Sequence, residues 1–150
     1  SLLISCSGPA TLAPDGTEVP KNTNKIIINT PDTLNAWQIT GKRISTLGYG
    51  IENSNKEFGT ITTTWQNADN TSAGVLFNLS VDSNKVIVAG KVRQEKNVSF
   101  FSDVSVDVGE SEISNSGGKG SIYYVAWQEM YRVAKELNKA LEGSMAFETR

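Results

Sequence analysis

Val75-Leu76-Phe77-Asn78-Leu79-Ser80-Val81, followed by Asp82-Ser83-Asn84-Lys85 and Val86-Ile87-Val88-Ala89-Gly90-Lys91-Val92, is the stretch that decides the fold class. Val75, Phe77, Leu79 and Val81 recur at every second position, the period of a strand with one buried face. The Asp-Ser-Asn-Lys segment is turn chemistry, and Val86, Val88, Gly90 and Val92 carry the same period back along the return strand. Two antiparallel strands joined by a tight connection are the direct reading.

Working outward towards the N-terminus, Ile61, Thr63 and Trp65 alternate with Thr60, Thr62 and Thr64 over Gly59 to Gln66, another half-buried strand whose threonines suit a solvated face. Gln66 to Ala73 is polar and turn-like. Before it, Tyr49 to Asn53 leads into a Ser54-Asn55-Lys56 turn, and Lys25-Ile26-Ile27-Ile28-Asn29 is a β-branched first strand. Between these, Thr30 is placed to cap a helix, with Pro31 at its first position and Asp32 at the positive end of its dipole. Leu34, Trp37, Ile44 and Leu47 recur at helical spacing with Gly41 on the same stripe, and Gly48 is the natural C-terminal stop.

Towards the C-terminus, Glu95 to Gly120 reads as a long loop, with an extended hint at Val98, Phe100, Val104, Val106 and Val108, and Ser114 to Gly120 as its flexible end. Ile122 to Leu141 reads as the longest helix, striped by Trp127, Met130 or Tyr131, Ala134, Leu137 and Leu141, and ended by Gly143. The expected fold is therefore α+β: an antiparallel sheet of four to six strands with two helices on one face, in the order β-α-β-β-β-β-α. Residues 25–143 form the single domain, 7–24 a flexible tether rich in Gly and Pro, and 144–150 a tail.

Composition narrows the chemistry. The 150 residues carry a formal net charge of −2 with acids and bases mixed, so no electrostatic footprint for nucleic acid appears. No apolar run approaches the ~20 residues needed to span a bilayer as a helix. There is no histidine, which removes Ser-His-Asp and Cys-His nucleophile arrangements and most zinc sites. No cofactor is expected.

Leu3-Ile4-Ser5-Cys6 ends in the single cysteine of the chain. It resembles the bacterial lipobox, the cleavage and acylation site of envelope lipoproteins. The resemblance covers these four residues, and the basic and most of the apolar part of a signal peptide are missing. The chain is accordingly expected to derive from a longer precursor, with 1–6 as a signal-peptide remnant. The resemblance implies that Cys6 carries lipid and anchors the protein to a membrane. Ser7 after the cysteine, in place of aspartate, implies outer-membrane sorting facing the periplasm in a Gram-negative host. The competing reading packs Leu2, Leu3, Ile4 and Cys6 as a short apolar strand with the thiol as a small core group.

A second resemblance rests on Ala36-Trp37, Leu47-Gly48-Tyr49, Ile51-Glu52 and Gly59-Thr60-Ile61. It is similar to small envelope lipoprotein domains, among them the helix-on-sheet, TATA-binding-protein-like module in the lipoprotein C subunit of the outer-membrane barrel-assembly machinery. Over 25–92 it implies that fold and a docking role, and no functional residues.

Other candidate sites are weighed against plainer roles. Phe100 and Phe101 are adjacent, so both cannot face inward on a strand; one in the core and one under the loop is favoured, with an exposed partner contact as the alternative. Trp37, Trp65 and Trp127 lie on expected buried stripes, which favours core packing over a pocket lining. Asp103, Asp107, Glu110 and Glu112 lack calcium-loop spacing. Gly117-Gly118-Lys119-Gly120-Ser121 departs from the phosphate-loop pattern, since Gly120 separates the lysine from the serine. The Asn-X-Ser triplets at Asn70, Asn78 and Asn97 carry no meaning in a bacterial lipoprotein. A carboxylate-dependent hydrolase would draw on Glu52, Glu57 and Asp82. The leading expectation is a membrane-anchored, non-catalytic module that binds another envelope protein, followed by a small-ligand or lipid-binding domain and then the hydrolase.

Overall fold

Inward-facing rows of β-branched and aromatic side chains need a second layer, and two amphipathic helices supply it. The computed structural model describes residues 10–31, 35–68, 70–95 and 109–150. In chain order its elements are β1 (Thr11–Leu12), β2 (Glu18–Val19), β3 (Thr23–Asn29), α1 (Ala36–Thr46), β4 (Ile51–Asn55), β5 (Thr60–Thr63), β6 (Gln66–Asn67), β7 (Ala73–Val81), β8 (Lys85–Gln94), β9 (Ser111–Glu112), α2 (Ile122–Ala140) and β10 (Ser144–Thr149). The fold is α+β. Eight strands form one antiparallel sheet along the path β10-β3-β8-β7-β5-β4, with β6 on β7 and β9 on β8.

The β7–β8 hairpin is the centre of the sheet, in register from Ala73 opposite Gln94 to Val81 opposite Val86. Val75, Phe77 and Leu79 from one strand and Val86, Val88 and Val92 from the other are buried. Helix α2 buries Ala126, Trp127, Met130, Val133, Ala134 and Leu137 and contacts β3, β7, β8 and β10. Helix α1 buries Ala36, Thr40 and Ile44 and contacts α2 and β7. The threonine-bearing strand β5 buries Ile61 and Thr63 and leaves Thr60 exposed, as its alternation implies.

Several expectations are corrected. Four to six strands become eight because β6 and β9 have two residues each, too few to show a period, and because the expected tail is a strand. Ser144–Thr149 pairs with β3, and its Phe147 ring stacks on Tyr131 with centroids 6.4 Å apart. The expected tether likewise contains a hairpin, β1–β2, which Asp15 ties to α2: Lys135 Nζ lies 2.6 Å from Asp15 Oδ2, and the Tyr131 hydroxyl donates at 2.9 Å to Oδ1. Thr30 does not cap α1. Its hydroxyl donates to the Leu141 carbonyl at 2.8 Å, while Asn35 caps α1 by accepting from the Gln38 N–H at 3.2 Å. Within the expected flexible loop, Asn115 is buried. Its side chain accepts from the Thr23 N–H at 2.8 Å and donates to Thr11 Oγ1 and the Pro20 carbonyl. Gly48 ends α1 as expected, with a φ of 94°.

The end of α2 assigns two adjacent residues different tasks. Glu142, not Gly143, takes the left-handed conformation, at φ 50°. Gly143 is needed for space, because a Cβ there would lie 2.5 Å from the Asn29 carbonyl oxygen of β3 and 2.8 Å from Ile28 Cγ2. Gly143→Ala is therefore expected to lower the unfolding free energy by about 1–3 kcal/mol through overpacking. Glu142→Gly should raise it by up to about 1 kcal/mol through relief of the left-handed strain. Urea titrations with unchanged slopes would read both, and equal effects at the two positions would overturn the assignment.

Candidate functional site

The first turn of α1, the β4–β5 turn and the β7–β8 turn surround a groove. Asn35 fixes the first turn of α1 and so positions Trp37. Asn55 Oδ1 accepts the Phe58 N–H at 3.1 Å, and the Val81 N–H donates to the Gly59 carbonyl at 2.6 Å, which locks the β4–β5 turn against the end of β7. The turn presents Phe58 with 77% of its surface exposed. The resulting groove, about 620 Å³, is lined by Trp37, Phe58, Val81 and Ile87, with Lys56, Glu57, Asp82 and Lys85 among its polar residues. A second cleft of about 330 Å³ adjoins it between α1 and β4, sharing Asn35, Trp37 and Lys56 and adding Gly41, Ile51 and Ile61. The composition suits contact with an amphipathic partner: apolar surfaces bordered by charges of both signs.

A buried carboxylate lies elsewhere, where the chain leaving α1 meets α2. The Tyr49 hydroxyl donates to Glu129 Oε1, and Arg132 donates from Nη2 to Oε1 at 2.6 Å and from Nε to Oε2 at 3.2 Å. Burial works to raise the Glu129 pKa, but the hydrogen bonds from Arg132 and Tyr49 outweigh it and hold the group below its ordinary value. Burial, and then Glu129 itself, push Tyr49 well above the normal phenol range. An anionic carboxylate paired this way is a poor proton donor, and Glu129 lines neither of the two grooves above nor the cleft between Pro14 and α2. The cluster is a clamp between the two helical segments.

The residues singled out in the sequence distribute unevenly. Cys6, Phe100 and Phe101 lie outside the described residues. So do Asp103 and Asp107. Trp127 is in the core, Trp37 lines the groove and its neighbour, and Trp65 lies beneath Arg93, whose guanidinium carbon is 4.1 Å from the ring centroid. Among the possible hydrolytic carboxylates, Glu57 and Asp82 line the groove, whereas Glu52 is exposed on β4 outside that lining. The groove itself was not anticipated; the signal for it was the Asn55-to-Gly59 turn with a phenylalanine at its tip. Among the described residues no group of three or more Cys, Asp or Glu is placed to hold a metal ion, and no helix is long and apolar enough to cross a membrane. Neither protein-family profiles nor curated protein sequences yield a match to this chain.

The clamp has a pH signature. Folded Glu129 binds its proton less tightly than the unfolded chain does, so its contribution is complete above about pH 5 and fades as pH falls through the carboxylate range. Glu129→Gln should cost about 1–2 kcal/mol at pH 7, with the difference from wild type shrinking below about pH 4. Urea unfolding at both pH values measures it; a difference that does not change with pH would overturn the assignment.

Proposed function

We propose that this chain is a membrane-anchored, non-catalytic module of the bacterial cell envelope that binds or helps assemble another envelope protein. The observation that carries the reading is Leu3-Ile4-Ser5-Cys6, whose single cysteine stands ahead of a folded α+β domain. Each acyl methylene buried in a bilayer contributes about 0.8 kcal/mol, so a diacylated cysteine with a further acyl chain holds firmly. Ser7 at the following position favours the outer membrane, facing the periplasm.

The packed β1–β2 hairpin sharpens the geometry. Thr11 opens β1 five positions after Cys6, so the chain between them reaches no further than about 18 Å. A lipid on Cys6 then keeps the domain close against the bilayer, rather than on the long tether that the sequence alone suggests. The two helices leave the grooves around the β4–β5 turn for a partner. The lining of those grooves by Trp37 and the exposed Phe58 supports a binding role. A second reading, a small ligand held in the groove, is favoured by its volume of about 620 Å³, which falls within the usual range for such sites. Native mass spectrometry of protein purified from its host tests that reading, and absence of a co-purifying small molecule counts against it.

The principal test uses the full-length precursor in its host. Labelled palmitate should enter the wild-type protein through Cys6, and Cys6→Ala should release the domain from the membrane fraction. Unchanged membrane association of the variant would remove the premise.

A further inference from the structure

The sheet ends at β4, which pairs only with β5 among the described residues, and all five of its residues are exposed. In an antiparallel strand alternate residues turn their N–H and C=O groups to each side, so the free side of β4 presents a row of backbone donors and acceptors. Natural edges are usually blunted by lysine, proline or a bulge. β4 has no lysine or proline, and its one charge, Glu52, falls within the register shift between Ile51 and Asn53, which leaves Asn53, Ser54 and Asn55 regularly paired with Thr62, Ile61 and Thr60.

The opposite edge, β10, is held differently. Glu148 pairs with Lys25, the Arg150 N–H donates to the Asn22 carbonyl, and Arg150 pairs with Glu112 at 3.1 Å. Among the described residues no ion pair ties β4. Alongside it runs the cleft of about 330 Å³ between β4 and α1, with Trp37, Ile51 and Ile61 as apolar walls. Lys56 is the one charged residue in that lining, and it makes no ion pair among the described residues.

We infer that β4 and the α1–β4 cleft bind an extended polypeptide segment of a partner protein, which adds to the sheet as a further strand. The segment carries apolar side chains at alternate positions, directed into the cleft, and an acidic residue facing Lys56. The open backbone ladder calls for a strand, the cleft for alternate apolar groups, and the Lys56 ammonium, without an ion pair among the described residues, for a carboxylate. This deepens the reading of the chain as a binding module and is independent of its lipid anchor.

The test is selection of linear nonapeptides from a fully randomised displayed library on the full chain. Selected peptides should show apolar residues at alternate positions and one acidic residue, and should slow amide exchange over residues 51–55. Alternate N-methylation of a selected peptide should weaken binding at least tenfold. Lys56→Glu, an exposed change that leaves folding intact, should reverse the charge preference of the selected set. No enrichment, binding that survives N-methylation, or protection confined to residues outside β4 would overturn the inference. So would protection, in the free protein at low concentration, of the β4 amides that face away from β5, which would mean that the chain covers its own edge, or protection of those amides that appears with rising protein concentration, which would make the occupant a second copy. Failure here leaves the Cys6→Ala result untouched, and failure of the anchor leaves the peptide result untouched.

Discussion

The ring of Phe77 lies over Gly90, and the rest of the domain is arranged around that contact. The two residues face each other across the central hairpin. A Cβ at position 90 would come within 3.0 Å of Phe77 Cδ1 and 2.8 Å of Ile113 Cδ1. Glycine in a strand interior normally weakens it, but here the vacated space is filled by an aromatic ring and an isoleucine. The same ring meets Tyr49 in a T-shaped pair, with centroids 5.2 Å apart and planes at 69°. Such a pair contributes about 0.5–1.5 kcal/mol beyond the area it buries. Tyr49 directly follows the glycine that ends α1, and its hydroxyl reaches Glu129 on α2. One side chain in the middle of the sheet thus sets where the first helix must end and where the second must lie.

The elements nearest this centre are those the sequence makes plain. The hairpin, the α2 stripe, the Gly48 stop and the threonine face of β5 each depend on local period or local cap chemistry, which a single chain displays directly. The peripheral elements depend on partners far away in sequence. The β1–β2 hairpin has the composition of a linker, and what orders it is Asn115, 95 positions beyond Pro20, together with Lys135, 120 positions beyond Asp15. β10 does alternate, at Met145 and Phe147, but six residues after a helix-ending glycine are too short a run to separate a strand from a tail. Thr30 and Asn35 are both sound capping residues, and the choice between them is made by the Leu141 carbonyl, which claims the threonine.

The grooves are a harder case for the same reason. Trp37 reads as a core residue because its spacing matches a buried stripe, yet the fully buried residues of α1 are Ala36, Thr40 and Ile44, and Trp37 is only partly buried against the core. Neighbouring helix positions point about 100° apart, so Trp37, beside Ala36, both packs on the core and lines the clefts. An offset of this size is beyond what periodicity resolves in a helix of three turns. It decides how the largest side chain of α1 is divided between core and cleft.

The topology also separates the proposed anchor from the proposed docking edge at β4. Asn115 joins the β1–β2 hairpin to the start of β3, and Arg150 joins the end of β10 to Asn22, so the N-terminal hairpin belongs to the β3–β10 side of the sheet. β4 lies four strand spacings from β3, about 19 Å at the usual interstrand distance. With a lipid on Cys6, only five residues from β1, the side of the domain near β3 is the one drawn to the bilayer. The β4 edge and the α1–β4 cleft then lie on the other side of the sheet, while the larger groove reaches Ile87 of β8, next to β3. A partner arriving as an extended strand would meet that edge without displacing the anchor, so attachment and recognition impose no steric conflict on each other. A long flexible tether would leave the orientation of the domain free, whereas the packed hairpin makes it a consequence of where the chain enters the fold.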